Sequence, residues 1–248
     1  MRYDIIGDVH GCFDELVDLL RRLGHRVDGK RLEVRPGRQV VFVGDLVDRG
    51  PKVAEVLELV MDAAGRGAAQ VVRGNHDDRL ALYLRGWPIR SAGSIDSSLR
   101  QLSHRSVEFQ QQVMDFLGSL PPRLLLAGGE LLVTHAGDVL TDDEALRAEF
   151  NVNSAKTGVV DRYGVKELVD WVADYAGEHF VVYGHETVLE PLRRARTLNL
   201  DTGCVYGGRL TALRFPEMEL VSVPAHQAYA TAKRWEALQD ARREGTRP

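Results

Sequence analysis

RQVVFVGDLVDRGP, residues 38–51, decides the reading of this chain. The apolar run at 39–43 is short, β-branched and aromatic, which reads as a buried strand. Gly44 ends it, and a glycine lets the backbone turn sharply and approach a neighbour closely. Asp45, Asp48 and Arg49 follow in the turn. Pro51 stands where a helix can begin, ahead of Val53, Val56, Leu57 and Val60 at helical spacing.

Four more stretches repeat this pattern. GDVHG (7–11) closes a strand at 3–7 and precedes a helical period of Phe13, Leu16, Val17, Leu19, Leu20 and Leu23. GNHD (74–77) follows a strand at 70–72 and leads into a helix at 77–84. THAG (134–137) ends a strand at 131–134, and YGHE (183–186) ends one at 180–183. Each motif puts Asp, Asn or His just beyond a strand and beside a glycine. Strand-end loops at one edge of a sheet converge on a common crevice.

Elsewhere the pattern is coarser. Residues 90–120 read as mostly helical after a Gly/Ser-rich loop. Past residue 197, strands at 198–200, 209–214 and 219–223 are joined by the turn-rich DTGCVYGGR and FPEM. A tail from His226 carries Tyr229, Ala232, Trp235 and Leu238 on one helical stripe, expected to pack back on the body. The chain therefore reads as α/β (α+β): two mixed sheets packed together with helices outside. One domain is expected over 1–225, with a C-terminal helical tail over 226–248.

The 248 residues suffice for a substantial core. A net charge of -4 argues against a globally basic nucleic-acid footprint. No apolar run approaches ~18 residues, so no membrane span is expected. The N-terminus lacks a charged-then-apolar leader, and the expected compartment is the cytoplasm. Cys12 and Cys204 read as buried free thiols.

The motifs collect six donors: Asp8, His10, Asp45, Asn75, His135 and His185. They offer carboxylate oxygen, imidazole nitrogen and amide oxygen, and no thiolate. That set suits a catalytic site for Mn, Fe or Zn better than a closed, Cys-rich structural zinc. Six ligands are too many for one catalytic ion with an open position, but fit two if a carboxylate bridges. Paired ions ~3.5–4 Å apart clamp a phosphoryl group and make hydroxide from water near neutral pH. The cofactor expectation is two divalent ions, Mn first, with Fe, Zn, Ni or Co as alternatives. Taken singly each motif is weak: a His after a strand is often just a satisfied polar group, and GNHD could be a turn with Asn in the left-handed region. Their order and shared context give the set its weight. His25, His104, His179 and His226 lack that context and read as ordinary histidines.

Together the motifs resemble the calcineurin-like metallophosphoesterase superfamily. The unbroken GDLVDRGP and RGNHD are similar to its phosphoprotein-phosphatase branch, over roughly residues 3–223. LNLDTGCVYGGRLTALRFPEMELVSVPA (198–225) is similar to the bacterial subgroup that holds the phosphatase module of polynucleotide kinase-phosphatase and the PrpE-type dinucleoside tetraphosphatases. No kinase P-loop or ligase segment accompanies it, so a free-standing version of that module is expected.

The resemblance implies a four-layer sandwich of two mixed β-sheets flanked by helices. It implies that Asp8 and His10 hold the first ion, that Asp45 bridges, and that Asn75, His135 and His185 hold the second. His76 would be the general acid, held by Asp48. Arg49 would grip the phosphate, with Asn75 also facing substrate. Asp201 would orient a ligand histidine, or equally be a turn-forming Asp before Thr-Gly. An always-charged, bidentate arginine suits the charge spread over a phosphoryl transition state. A buried carboxylate beside His76 is expected to raise its pKa and keep it protonated.

Two features depart from the family. Glu186 and Thr187 follow His185 where Thr-Pro is usual, and a second phosphate arginine finds no place; Lys166 is the substitute candidate. The implied activity is hydrolysis of phosphate esters or anhydrides, on nucleotide-type substrates first: dinucleoside polyphosphates or polynucleotide phosphate ends. A serine/threonine protein phosphatase acting on phosphoprotein is the alternative. A non-catalytic binding protein is remote, because all six donors are present. Residues 79–105 hold five arginines and one acid, Asp96. They read as a basic lid over the site or as a solvated helix face. The acidic stretch 138–149 reads as the opposite rim or as plain surface.

Overall fold

The strand β4 (Arg38–Phe42) shows why the apolar runs are continuous. Val40 and Phe42 enter one core, while Val41 and Val43 enter another. β1 (Arg2–Ile6) does the same, with Tyr3 and Ile5 on one face and Ile6 on the other. A strand buried on both faces has no polar side to alternate with. The computed structural model describes residues 1–89, 95–161 and 164–245.

The first sheet has five strands. β1 and β4 are parallel, and β5 (Ala69–Val71) is parallel to β4. β13 (Arg209–Phe215) pairs antiparallel with β1, and β14 (Glu219–Pro224) with β13. The second sheet is built alike. β7 (Leu131–Thr134), β10 (Phe180–Tyr183) and β12 (Thr197–Asn199) are parallel neighbours, and β6 (Arg123–Leu126) and β11 (Leu192–Arg194) close its edges antiparallel.

Three cores make four layers. Between the sheets lie Tyr3, Ile5, Val41 and Val43 against Leu131, Val133, Val182 and Leu198. Outside the first sheet, α1 (Phe13–Arg22) and α2 (Val53–Gly65) cover Ile6, Val40 and Phe42. α3 (Asn75–Leu84), α4 (Asp96–Leu102) and α5 (Val107–Ser119) add Leu80, Leu102, Val113 and Leu117 to that core. Outside the second sheet, α6 (Glu144–Asn153) and α7 (Trp171–Asp174) bring Phe150, Trp171 and Val172 against Leu132, Val181 and Tyr183. The expected sandwich of two mixed sheets flanked by helices is the fold observed. Among the described residues no helix is long and apolar enough to cross a membrane.

The differences are local. The hairpins β2 (Arg26–Asp28) with β3 (Arg31–Glu33), and β8 (Lys156–Val160) with β9 (Lys166–Leu168), were not expected; nor were β6 and β11. Apart from β6, whose RLLL is an apolar run that was not read as a strand, most of their residues are exposed and no apolar run announces them. The helical stretch 90–120 divides into α4 and α5, and residues 90–94 lie outside the described residues. The tail is not helical from His226. Tyr229 and Ala230 first donate their backbone N–H groups to Val205 O at 2.9 and 3.1 Å, and α8 (Lys233–Glu244) starts only after this pairing. Of the tail stripe, Trp235 and Leu238 are buried in the first core, and Tyr229 and Ala232 pack against it. Cys12 and Cys204 are buried and free, as expected.

Ile5 is fully buried between the sheets on their central strand. Ile5→Ala should therefore lower unfolding free energy by about 2–5 kcal/mol, the usual cost of a large-to-small core change. Urea unfolding of the metal-free protein reads it; a loss near zero would mean the two sheets do not share a packed core.

Candidate active site

Because β1, β4 and β5 are parallel, their C-terminal ends lie at one edge of the first sheet. The same holds for β7, β10 and β12 in the second. All five motifs begin at those edges, and hydrogen bonds stitch them together. Asp45 O accepts from Val9 N at 3.2 Å and His10 N at 2.8 Å. Asp77 accepts from Leu46 N at 2.9 Å and Gly74 N at 3.1 Å. His135 Nδ1 faces Val43 O at 2.9 Å. His185 N donates to Asp8 at 3.2 Å, and Gly184 N to His135 O at 2.8 Å.

The turns are tight enough to hold side-chain-bearing residues in the left-handed region. His10, Asp45, Asp48, Arg49 and His185 have φ of 44°, 50°, 71°, 68° and 66°. Such conformations cost free energy and persist where surrounding contacts over-determine them, often at functional sites. Glycine is required where motifs touch. A Cβ on Gly184 would strike the Asp8 carboxylate, and one on Gly74 would strike Asp45.

The rings point their lone pairs inward. His10 donates Nδ1–H to Val47 O at 2.7 Å, and His135 donates Nδ1–H to Val43 O. Each Nε2 is thus an acceptor. His135 Nε2 lies 3.0 Å from Asn75 Oδ1 and 3.2 Å from His185 Nδ1, which itself lies 3.0 Å from Asn75 Oδ1. Asp45 joins this group to His10. Its Oδ1 is 3.4 Å from His135 Nε2 and its Oδ2 is 3.4 Å from His10 Nε2. Asp8, Asp45 and His135 form one set of converging donors; His10, Asp45 and His76 form another. Buried acceptors that face one another call for a cation. The oxygen and nitrogen chemistry fits divalent Mn, Fe or Zn.

Electrostatics point the same way. Burial pushes Asp8 well above the ordinary carboxylate range, helped by Asp201 and Asp45. Burial lifts Asp45 to about 7. Burial also pushes His135 down to about 3, and pushes His10 and His185 well below ordinary histidine, with Arg49 and neighbouring rings adding to it. Carboxylates that resist charge and imidazoles that stay neutral are the state in which a cation is welcome. Its binding displaces the carboxylate protons.

His76, Asp48 and Arg49 form a chain beside these donors. His76 N donates to Asp45 Oδ1 at 2.9 Å, which anchors the ring next to Asn75. His76 Nδ1 is 2.6 Å from Asp48 Oδ2. Arg49 Nη2 is 2.8 Å from His76 Nε2, and Nη1 is in close contact with His10 Nε2. A guanidinium only donates, so His76 Nε2 accepts and its proton sits on Nδ1, toward Asp48. The expected Asp48–His76 contact is present, but its expected effect is reversed. Burial first, then Arg49 and His10, hold His76 well below its ordinary pKa, while burial lifts Asp48 to about 7. The ring is too deeply buried, beside a fixed cation, for one carboxylate to keep it charged.

Some site residues were not found in the sequence. Ser98 donates to Asp48 Oδ1 at 2.5 Å and accepts Asp48 N–H at 2.9 Å; Ser97 accepts Arg49 N–H at 2.7 Å. Both sit in the first turn of α4, and a serine pair after a Gly/Ser loop gives no chemical signal of its own. Asp77, the last letter of GNHD, was available as a signal but was read only as the start of a helix. Asp201 accepts from Thr187 Oγ1 at 2.8 Å and Gly203 N at 3.1 Å, so its contacts fasten the loop after His185 and its own turn. Lys166 is exposed on the β8–β9 hairpin. Arg105 pairs with Glu55 and Glu58 and Arg85 lies against Gly118, so neither overhangs the site; Arg79 is near enough to act on Asp45 and His76. Asp138 is buried and pairs with Arg147, which removes it from any rim.

With this site in place, the comparisons define the class. The family model described as calcineurin-like phosphoesterase matches residues 1–221, and the chain belongs to that family. It is a hydrolase that uses divalent metal ions. Among curated relatives, it is 40% identical to the bis(5'-nucleosyl)-tetraphosphatase PrpE [asymmetrical] of Bacillus subtilis (strain 168), over 92% of this chain and 97% of that one. A crystal structure named for a diadenosine tetraphosphatase shares 27% identity at a TM-score of 0.67, covering 90% of this chain and 93% of its own. A serine/threonine phosphatase from Saccharomyces cerevisiae aligns at a TM-score of 0.60 with 15% identity, covering 94% and 81%, which is a likeness of fold.

Adding Mn²⁺ to metal-free protein should raise its melting temperature by mass action. Asp45→Asn should remove more of that shift than His185→Asn, since Asp45 faces both donor sets. Equal losses would mean Asp45 serves one set only.

Proposed function

We propose that this chain cleaves dinucleoside polyphosphates asymmetrically with two divalent cations, manganese foremost. The observation that carries the dinuclear part is Asp45, whose two oxygens each lie 3.4 Å from an imidazole nitrogen of a different donor set. The substrate class is supported by the tetraphosphatase relative matched over nearly the whole of both chains. Asp8, His10, Asp45, Asn75, His135 and His185 would hold the pair, with Asp45 shared. When bound, the cations supply a nucleophile from water at neutral pH and neutralise phosphoryl charge.

The chain's own residues do the rest. Arg49, held by its backbone N–H on Ser97, presents a planar, permanently charged fork to the non-bridging oxygens. Asn75, whose Oδ1 lies 3.0 Å from His135 Nε2 and from His185 Nδ1, would offer the rest of its amide to substrate. Asp48 keeps the Nδ1 proton, so Nε2 is the edge that takes up a second proton from solvent once Arg49 turns to phosphate, and it is that proton that passes to the departing oxygen. Ser98 holds Asp48 in that posture. For a dinucleoside tetraphosphate, water enters at the phosphorus next to one nucleoside. The bond to the next phosphate breaks, leaving a nucleoside monophosphate and a nucleoside triphosphate.

A Mn²⁺-loaded substrate panel tests the assignment. It compares diadenosine tetraphosphate, a 3′-phosphorylated oligonucleotide, a 2′,3′-cyclic nucleotide and a phosphoserine peptide by kcat/KM. The tetraphosphate should rank first, with AMP and ATP in equal amounts. Two ADP, or a higher rank for the peptide, would overturn the reading.

The role of His76 has its own test. General acid catalysis is typically worth ~10²–10⁴-fold, and the need for it falls as the leaving group improves. His76→Ala should cost far more kcat on an alkyl phosphate than on p-nitrophenyl phosphate, with metal content unchanged; a loss of metal would instead make His76 a ligand beside His10 and Asp45. A uniform loss would make His76 a binding residue.

A further inference from the structure

Trp235 belongs to the tail, in the first turn of α8, yet it is only 7% exposed. Its ring lies over two glycines of the loop after β12, and a Cβ on Gly203 or Gly208 would strike it. Its indole N–H finds no acceptor among the described residues. A buried donor left unpaired is unfavourable, so the ring faces, and what they touch, explain the position.

One face meets Tyr206, with ring centroids 6.3 Å apart and planes tilted by 30°. Tyr206 in turn lies under the Arg49 guanidinium, 5.5 Å from carbon to ring centroid. Tyr206 is buried, and a desolvated cation–π contact is the kind that counts most. The other contacts of the Arg49 head use imidazole nitrogens of His10 and His76, which metal ligation and proton transfer also need. The face of Tyr206 competes with neither.

The helix is fastened on both sides. Ala228 bridges Tyr206, and Val205 O takes the Tyr229 and Ala230 N–H groups. Arg234 donates from Nη2 to Glu186 Oε1 at 2.6 Å and from Nε to Thr187 O at 3.1 Å. These two residues follow His185, where the family pattern has Thr-Pro.

The geometry points to Trp235 as a positioning residue for Arg49, acting through the face of Tyr206, with Arg234 anchoring the same turn to the His185 loop. This rests on the proposed role of Arg49 in gripping phosphate. It gives the C-terminal helix a part in the reaction, and it gives Glu186 and Thr187 a purpose as the seat of Arg234.

The test uses the full chain with saturating Mn²⁺ and p-nitrophenyl phosphate. Trp235→Leu is compared alone and on an Arg49→Ala background. Alone, it should lower kcat about ten- to hundredfold, as a small misplacement of a reacting group does, with a lesser change in KM and unaltered metal content. Trp235→Phe should recover most of the loss. On the Arg49→Ala background, Trp235→Leu should add less than about twofold, because residues that act through one another are not additive. The full loss repeated on that background would overturn the proposal, since the helix would then act by another route. If Arg49→Ala alone left kcat unchanged, the phosphate role of Arg49 would fall, and this proposal with it. Should Trp235→Leu not fold, Tyr206→Leu with Tyr206→Phe as its control makes the same comparison.

Discussion

One carboxylate sets the terms for the rest of the molecule. Asp45 reaches His10 with one oxygen and His135 with the other, and those histidines stand on different sheets. The sandwich must therefore bring two strand edges within a few ångströms of each other and hold them there. The inter-sheet core does this with tightly packed apolar side chains, which leave no slack for the edges to slide. The backbone pays locally: Asp45 sits at a φ of 50°, a conformation held in place by His10 N, Val9 N and His76 N around it.

Burial explains most of the site's chemistry and corrects one expectation. The same desolvation that lifts Asp45 and Asp48 also suppresses charge on His10, His76, His135 and His185. Proximity of Asp48 to His76 was legible in the sequence. The sign of its effect was not, because it depends on how far the ring is withdrawn from water and on where Arg49 points. A neutral His76 whose Nδ1 proton is fixed by Asp48 becomes a donor at Nε2 only when negative charge arrives there. A phosphoryl group would bring that charge, so the general-acid role proposed for His76 is one that the substrate itself would switch on.

The fold was legible where strands are buried on both faces. β4, β7 and β10 announce themselves as unbroken apolar runs, β1 as one interrupted by Asp4, and each closes on a glycine motif. It was illegible where strands are short and wet: β2, β3, β8, β9 and β11 carry almost no apolar pattern, since only their backbones do the pairing. The six donors were legible because five motifs repeat one context, a strand end beside a glycine, in one order along the chain. Ser97, Ser98 and Tyr206 were not, because their chemistry lies in a hydroxyl or a ring face aimed at a residue far off in sequence, and spacing along the chain carries no trace of that aim.

One departure from the family pattern is answered in the tail. A chain that lacks Thr-Pro after its last motif histidine must steady that loop in another way. Here Thr187 reaches back to Asp201 at 2.8 Å and Glu186 is taken by Arg234 at 2.6 Å, so the loop is held by one contact from the sheet side and one from α8. That second contact brings Trp235 over Gly203 and Gly208, where only the absence of a Cβ leaves room for an indole. The glycines of DTGCVYGG therefore answer to a residue more than one element away. They stand where Arg49, by way of Tyr206, comes under the control of the tail. A helix added after the last strand backs the ring on which the Arg49 guanidinium rests, and the loop sequence beside it is shaped to receive it.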